Sequence, residues 1–260
     1  MNVDKGMAIG AVVALVGILL GLRLDGGNIS QILQPTAALI VFGGTLGAVM
    51  VQFPLDSVLA SFRRLVEVFL HPAPDPVSVV GEMVTYANKA RKEGVVSLDS
   101  ELERIQEPFL KRALMLAVDG TEPAELRNMM ELELDNRLER EERSAHVFEA
   151  AGGFAPTIGI IGAILGLIQV MQHLNQIEEV GRGIAVAFVA TIYGVASANL
   201  VFLPLAGKVK IRVREEQMIR EMMLEGVVSI LEGINPRMLQ TKLQGFLGAH
   251  QQPTGGDAQS

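Results

Sequence analysis

The sequence predicts an all-α fold: a polytopic membrane protein with four transmembrane helices and a helical cytoplasmic domain. Three observations lead there. Residues 150–172 and 183–207 are two segments that contain neither an acid nor a base and carry a few polar groups such as Thr157, Gln169, Thr191 and Asn199. Each is long enough to cross a bilayer, which takes about 20 residues at ~1.5 Å apiece. Of the 260 residues 49% are hydrophobic, and the mean hydropathy is +0.35. The charged residues gather between positions 56 and 149 and again after 208, so apolar and water-facing parts alternate along the chain.

Residues 6–22 form the first uncharged run. They follow Lys5 as the core of a signal peptide would, but no small-x-small cleavage site follows Leu22, so the run reads as a retained helix. Residues 35–54 form the second span, and together they make residues 1–55 a first membrane part. Short hairpin loops carry only Arg23 and Arg182. By contrast Arg63 and Arg64 follow the second span, and Lys208, Lys210, Arg212 and Arg214 follow the fourth. The excess of Lys and Arg on one side places both termini and residues 56–149 in the cytoplasm.

That cytoplasmic region reads as helical. Pro72, Pro74 and Pro76 break the chain, and Val79, Val80, Met83, Val84 and Ala87 then recur near a helical period, predicting a helix over 77–92 with Gly94 as its stop. A second helix is predicted over 109–118, ended by Asp119-Gly120, and a third from 122 to 149, with Thr121 as its cap and Pro123 in its first turn. The Glu- and Arg-rich run 131–143 reads as a solvated face held by i,i+4 pairs. Residues 150–207 hold the third and fourth spans. Beyond them, 208–249 is expected to continue as helix from 206 to 232, stop at Gly233 and Pro236, and end in a short amphipathic piece over 238–247. The polar tail 250–260 is expected to be disordered.

Composition excludes several classes. Cysteine is absent and the four His residues (His71, His146, His173 and His250) match no ligand spacing, so no metal or redox centre is expected. The net charge of −7 argues against nucleic-acid binding. No phosphate loop, zinc-protease, serine-nucleophile or dinucleotide signature is present, so no enzymatic activity is expected.

What remains is in the spans. Gly43-Gly44-Thr45-Leu46-Gly47 and the pair Gly162, Gly166 form small-xxx-small faces that let helix backbones approach closely in lipid. Thr157, Gln169, Thr191, Ser197 and Asn199 are the scattered polar groups; they serve either interhelical hydrogen bonds or a hydrated path. Pro156 opens the predicted third span, where a proline is ordinary. Pro204 falls inside a continuous helix, where it removes a hydrogen bond and makes a hinge candidate. No span carries a titratable group, so any ion-binding charge must come from a partner.

Ala155-Pro156-Thr157-Ile158-Gly159-Ile160-Ile161-Gly162-Ala163, Ala190-Thr191-Ile192-Tyr193-Gly194 and Leu203-Pro204-Leu205-Ala206 resemble the third and fourth spans of the MotA/PomA flagellar stator proteins. The stretches Ala38–Gly47, Ala90-Arg91-Lys92-Glu93-Gly94 and Glu232–Arg237 resemble the same family. The resemblance implies an inner-membrane subunit, in a ring of five, around a peptidoglycan-anchored MotB-like partner that brings the ion-binding Asp. It implies motility by ion-driven torque on the rotor's switch-ring protein, which is FliG-like. It makes Arg91 and Asp99 the rotor contacts, although the family usually has Glu where Asp99 stands. It makes Pro156 and Pro204 the coupling hinge and Thr191 the pore-facing threonine, with Thr157, Ala163 and Ala190 beside the same path. Sodium-driven members carry Thr where Ala163 and Ala190 stand, so the translocated ion implied here is the proton, and no other cofactor is expected. The competing readings are a TolQ/ExbB-type energiser of outer-membrane processes, which has three spans, and a membrane scaffold without an ion path.

Overall fold

The computed structural model describes residues 5–71 and 74–247, and it is helical with no strand among the described residues. The disordered tail expected over 250–260 lies outside the described residues. Helix α1 spans Lys5–Leu24, and α2 spans Pro35–Gln52. Pro35 takes the first helical position of α2, where its missing N–H costs nothing. A π-helical turn interrupts α2 at Leu39–Gly43.

Helix α3, Leu55–Leu70, follows immediately, and the sequence reading did not single it out. Val58 and Ser61 are buried, while Leu55, Leu59, Phe62, Val66 and Leu70 form an adjoining exposed stripe. Together they make one broad apolar face opposite Asp56, Arg63 and Glu67, a helical period that the sequence does carry.

Helix α4 covers Pro76–Glu93, close to the predicted 77–92. The Asp75 carboxylate accepts the Val77 N–H, and Gly94 ends the helix at φ 85°, a conformation that favours glycine. Helix α5 covers Pro108–Val118, and the Glu107 carboxylate accepts the Leu110 N–H at 2.8 Å.

Helix α6 runs unbroken from Pro123 to Gln172. This corrects two expectations. Pro156 lies in the helix interior and opens nothing, because the predicted helix over 122–149 and the third span are one element. The Leu126 N–H bonds the Glu122 carbonyl, so Glu122 rather than Thr121 holds the cap position ahead of Pro123. Helix α7 is Ile177–Leu231, with a second π-helical turn at Ala198–Phe202 directly before Pro204. Helix α8, Pro236–Gln244, is capped by the Asn235 side chain on the Arg237 N–H. Helices α2, α6 and α7 are each long and apolar enough to cross a membrane, and α1 adds a shorter apolar stretch over Ile9–Leu24. The chain is a multi-pass membrane protein.

The chain divides into two compact units, 1–72 with 141–211, and 73–140 with 212–260. In the first, Ala37 and Val41 of α2 pack with Val186, Val189 and Ala190 of α7. Val49, Val58, Val147 and Ala151 form a second cluster. Phe62 meets Phe148 edge to face at 5.6 Å, and Arg64 pairs with Glu141 at 3.2 Å. By contrast α1 leaves Ile9, Val12, Val13 and Leu15 open, as lipid or neighbouring copies would require.

The second unit has a conventional core in which Met83, Phe109, Leu110, Leu114, Leu126, Met130 and Met222 are almost fully enclosed. Each such side chain contributes about 1.5–3 kcal/mol. Gly226 admits Met83, whose Sδ would stand 2.8 Å from an added Cβ. The 131–143 run is more than a solvated face. Arg127–Glu131 is one i,i+4 pair, but Glu133 reaches Arg112 of α5 at 3.3 Å. Two ion groups, the first buried and the second partly exposed, tie α7 to its neighbours. Arg220 lies 3.1 Å from Glu216 and reaches the Glu107 cap, while Glu225 takes Arg127 at 2.8 Å and also Lys242 of α8.

Burial pushes the Glu225 carboxyl up, but the hydrogen bonds from Lys242 and Arg127 outweigh it and hold the group below the usual carboxylate range. A depressed folded pKa gives stability that is present above the unfolded value and lost as pH falls through the folded one. Glu225→Gln is therefore expected to cost about 1–3 kcal/mol at neutral pH. It should also flatten the loss of stability on acidification, as read by thermal unfolding across pH.

Candidate functional site

The sequence of α6 and α7 dictates a helix pair packed backbone to backbone. Gly159, Gly162 and Gly166 recur at three- and four-residue spacing on α6, and Gly183, Ala187, Ala190 and Gly194 do so on α7. A Cβ on Gly166 would lie 2.7 Å from the Gly183 carbonyl oxygen, and one on Gly194 would lie 2.5 Å from the Ala155 oxygen. On Gly159 it would come 2.9 Å from the Ala190 oxygen. Only glycine admits this approach, and van der Waals contact is what holds helices together where lipid is as apolar as they are. By comparison Gly43 and Gly47 of α2 have open space, and it is Gly44 that packs, against Ile158.

The residues proposed for an ion path fall on and beside this seam. Ala190 is fully buried, and its Cβ would meet one added at Gly162 at 2.7 Å. Thr191 is half-buried next to Gly159, and its hydroxyl donates to the Ala187 carbonyl at 3.1 Å. Ala163 is half-buried, and Thr157 is exposed with its hydroxyl on the Phe154 carbonyl at 2.8 Å. Ser197 and Asn199 likewise bond their own helix, at the Gly194 and Val195 carbonyls. Of the two uses open to these polar groups, hydrogen bonds to another helix are not made by Thr157, Thr191, Ser197 or Asn199 in the single chain. Tyr193 does make one: its hydroxyl donates to the Ile32 carbonyl at 2.6 Å and accepts the Gln34 N–H, and its ring stacks on Phe42 at 5.9 Å. A tyrosine in an apolar span signals such a tether, because its buried O–H needs a partner.

The two hinge candidates differ in setting. Pro156 is half-buried within α6, and having no N–H it deprives the Gly152 carbonyl of its helical donor. Pro204 is exposed and follows the π-helical turn, which takes up the break.

Arg91 and Asp99 belong to the other unit. Gly94 reverses the chain after α4, and a 3-10 stretch over Val95–Glu101 folds back along it. Leu98 is fully buried and anchors the stretch. Arg91 and Asp99 are both exposed, and among the described residues neither forms an ion pair, so both charges are available to a partner. Sequence reading missed the clamp beneath them: Lys89 donates to Glu101 at 2.5 Å and to Ser100 at 2.7 Å. The Lys89 hydrogen bond holds the Glu101 carboxyl below its usual range. No group of three or more His, Asp or Glu side chains converges as a metal site among the described residues.

The apolar parts of α6 and α7 thus form a glycine-seamed, charge-free helix pair within a multi-pass α-helical membrane protein. Comparison with known proteins then places the chain. Residues 101–222 match the model of the MotA/TolQ/ExbB proton channel family, and residues 8–94 match the model for the N-terminal part of motility protein A. Motility protein A of Bacillus subtilis is 34% identical, with 95% of this chain and 92% of that protein covered. Chemotaxis protein PomA of Vibrio alginolyticus is 31% identical, with 85% and 87% covered. The solved structure of C. jejuni MotAB superposes with a TM-score of 0.90 at 30% identity, covering 96% of this chain and 98% of that one. The flagellar MotAB stator complex from Bacillus subtilis gives 0.86 at 34%, covering 95% and 97%. The chain belongs to the MotA/PomA family of flagellar motility proteins.

Gly166→Val tests the seam. With backbone atoms rather than flexible side chains at 2.7 and 2.9 Å, α6 and α7 must separate. The expected cost is about 1–3 kcal/mol, seen as a lower melting temperature of the solubilised protein and lower membrane abundance.

Proposed function

We propose that this chain converts proton flow into torque. It is a flagellar motor stator subunit that forms an ion channel with a MotB-type partner. The observation that carries the finer reading is the absence of any acid or base from residues 6–22, 35–54, 150–172 and 183–207. A buried cation in lipid needs a countercharge, so the partner supplies the ion-binding carboxylate. The match of residues 8–94 to the motility protein A model favours a stator over a TolQ/ExbB-type energiser.

In this reading α1, α2 and parts of α6 and α7 make four spans of the bacterial inner membrane. Both termini and the unit built on residues 73–140 and 212–260 are cytoplasmic, and five copies surround the partner's helices. Thr191, Ala190, Ala163 and Thr157 border the ion path. The alanines favour the proton, since a methyl group cannot replace a sodium ion's hydration shell as a hydroxyl can. Ion passage bends the chain at Pro156 and Pro204, and the exposed Arg91 and Asp99 push on a FliG-like rotor protein.

Rotation of tethered cells tests this, with the chain and its cognate partner expressed in a motile bacterium stripped of its own stators. Rotation should persist without sodium and stop on adding a protonophore; a requirement for sodium would overturn the ion. In the same cells Arg91→Glu should cut rotation severalfold at unchanged membrane abundance. Loss of the variant from the membrane would instead make Arg91 structural.

A further inference from the structure

His146 and Glu149 are a bonded titratable pair that the function so far leaves unused. The His146 Nδ1 lies 2.9 Å from the Glu149 carboxylate, and Lys210 of α7 reaches the same carboxylate at 2.6 Å. The Lys210 hydrogen bond, helped by that of His146, holds the Glu149 carboxyl below its usual range although burial pushes it up. An ionised carboxylate only accepts hydrogen bonds, so Nδ1 carries the proton and donates it. The Nε2 lone pair is then open to a further proton, and among the described residues Nε2 has no partner.

The setting of the pair supplies a use. Both residues line an open cleft of about 510 Å³ with Gln52, Phe53, Arg143 and Gly153. Gln52 closes α2 and Phe53 follows it, so the cleft lies where the apolar spans end. On α6 it continues into the face that carries Thr157. Gly153 is seven residues from His146 and Thr157 four further on, about three turns or ~16 Å in all. All three are exposed, and a Cβ added at Gly153 would meet nothing within 4 Å. Residues 150–172 contain no group that titrates, so Glu149 and His146 are the first such groups on α6 beyond Thr157 in this direction. The charged groups around the imidazole are Glu149 and Arg143 on its own helix and Lys210 on α7, while α2 brings the uncharged Gln52 and Phe53.

We propose that His146 is the proton acceptor at the cytoplasmic mouth of the ion path: Nε2 takes up the proton that leaves the Thr157 face and passes it to water in the cleft, while Glu149 orients the ring. The proposal rests on the stator reading and deepens it by naming where the proton leaves the protein. An imidazole suits the task because it is the side chain whose charge changes near neutral pH. The N–H bond at Nε2 forms and then breaks, and the ionised Glu149 stabilises the imidazolium in between. Such a relay sets how fast protons leave, not how much work each one does.

The test measures rotation in the stator-stripped cells described above, with beads of different size attached, for wild type, His146→Gln and Glu149→Gln. Glutamine at position 146 still donates a hydrogen bond to Glu149 but cannot take up a proton. Speed at low load should fall severalfold, while stall torque and membrane abundance stay as in wild type. Glu149→Gln removes the charge behind the ring and should give the same pattern. A His146→Gln motor as fast as wild type at low load would overturn the proposal. Equal losses at stall and at low load, or absence of the variant from the membrane, would also overturn it, because His146 would then be structural. A wild type that turns the motor at no load would instead remove the stator reading, and the relay with it. The two failures are separable, because the first is read only against a turning wild type.

Discussion

Helices α6 and α7 touch through their backbones, and the membrane part is organised around that contact. Gly159, Gly166, Gly183 and Gly194 each lack space for a Cβ, with carbonyl oxygens of the facing helix within 3 Å of where it would sit. In lipid, apolar side chains gain nothing by leaving solvent for protein, so close approach of small residues has to do what a hydrophobic core does in water. The same seam sets the polar groups. With the helices this close, Thr191, Ser197 and Asn199 turn back to their own carbonyls and leave the interface free of hydrogen bonds that would lock it.

Charges are sorted by the opposite rule. The unit formed by residues 73–140 and 212–260 holds a side-chain core like that of a soluble protein, and its buried ions are paired. Pairing is needed because an isolated buried charge costs several kcal/mol. Asp99 is exposed on the turn that Leu98 anchors and the Lys89–Glu101 clamp braces, and Arg91 is exposed in the last turn of α4.

Most of the fold was legible in the sequence. Uncharged runs marked the spans, prolines and Gly94 marked helix ends, and the period over 77–92 marked the buried face of α4. What escaped did so for identifiable reasons. Helix α3 carries a clear helical period, but only its Arg63 and Arg64 were read, for orientation, and Pro156 looked like a helix start because proline is ordinary there. Nothing in the local sequence shows that α6 continues through it. The site residues came from resemblance rather than from spacing, and the structure adds what neither could supply. Tyr193 as a tether and the Lys89–Glu101 clamp depend on residues apart in sequence. That is tertiary information.

With no acid or base in residues 6–22, 35–54, 150–172 and 183–207, the proposed channel wall conducts only with a partner's carboxylate. Proton flux into liposomes under an imposed pH gradient tests it most directly, comparing this chain alone with the chain plus its MotB-type partner freed of any plug. The account predicts flux only with the partner, abolished when the partner's membrane aspartate is replaced by asparagine. Equal flux from this chain alone would contradict it.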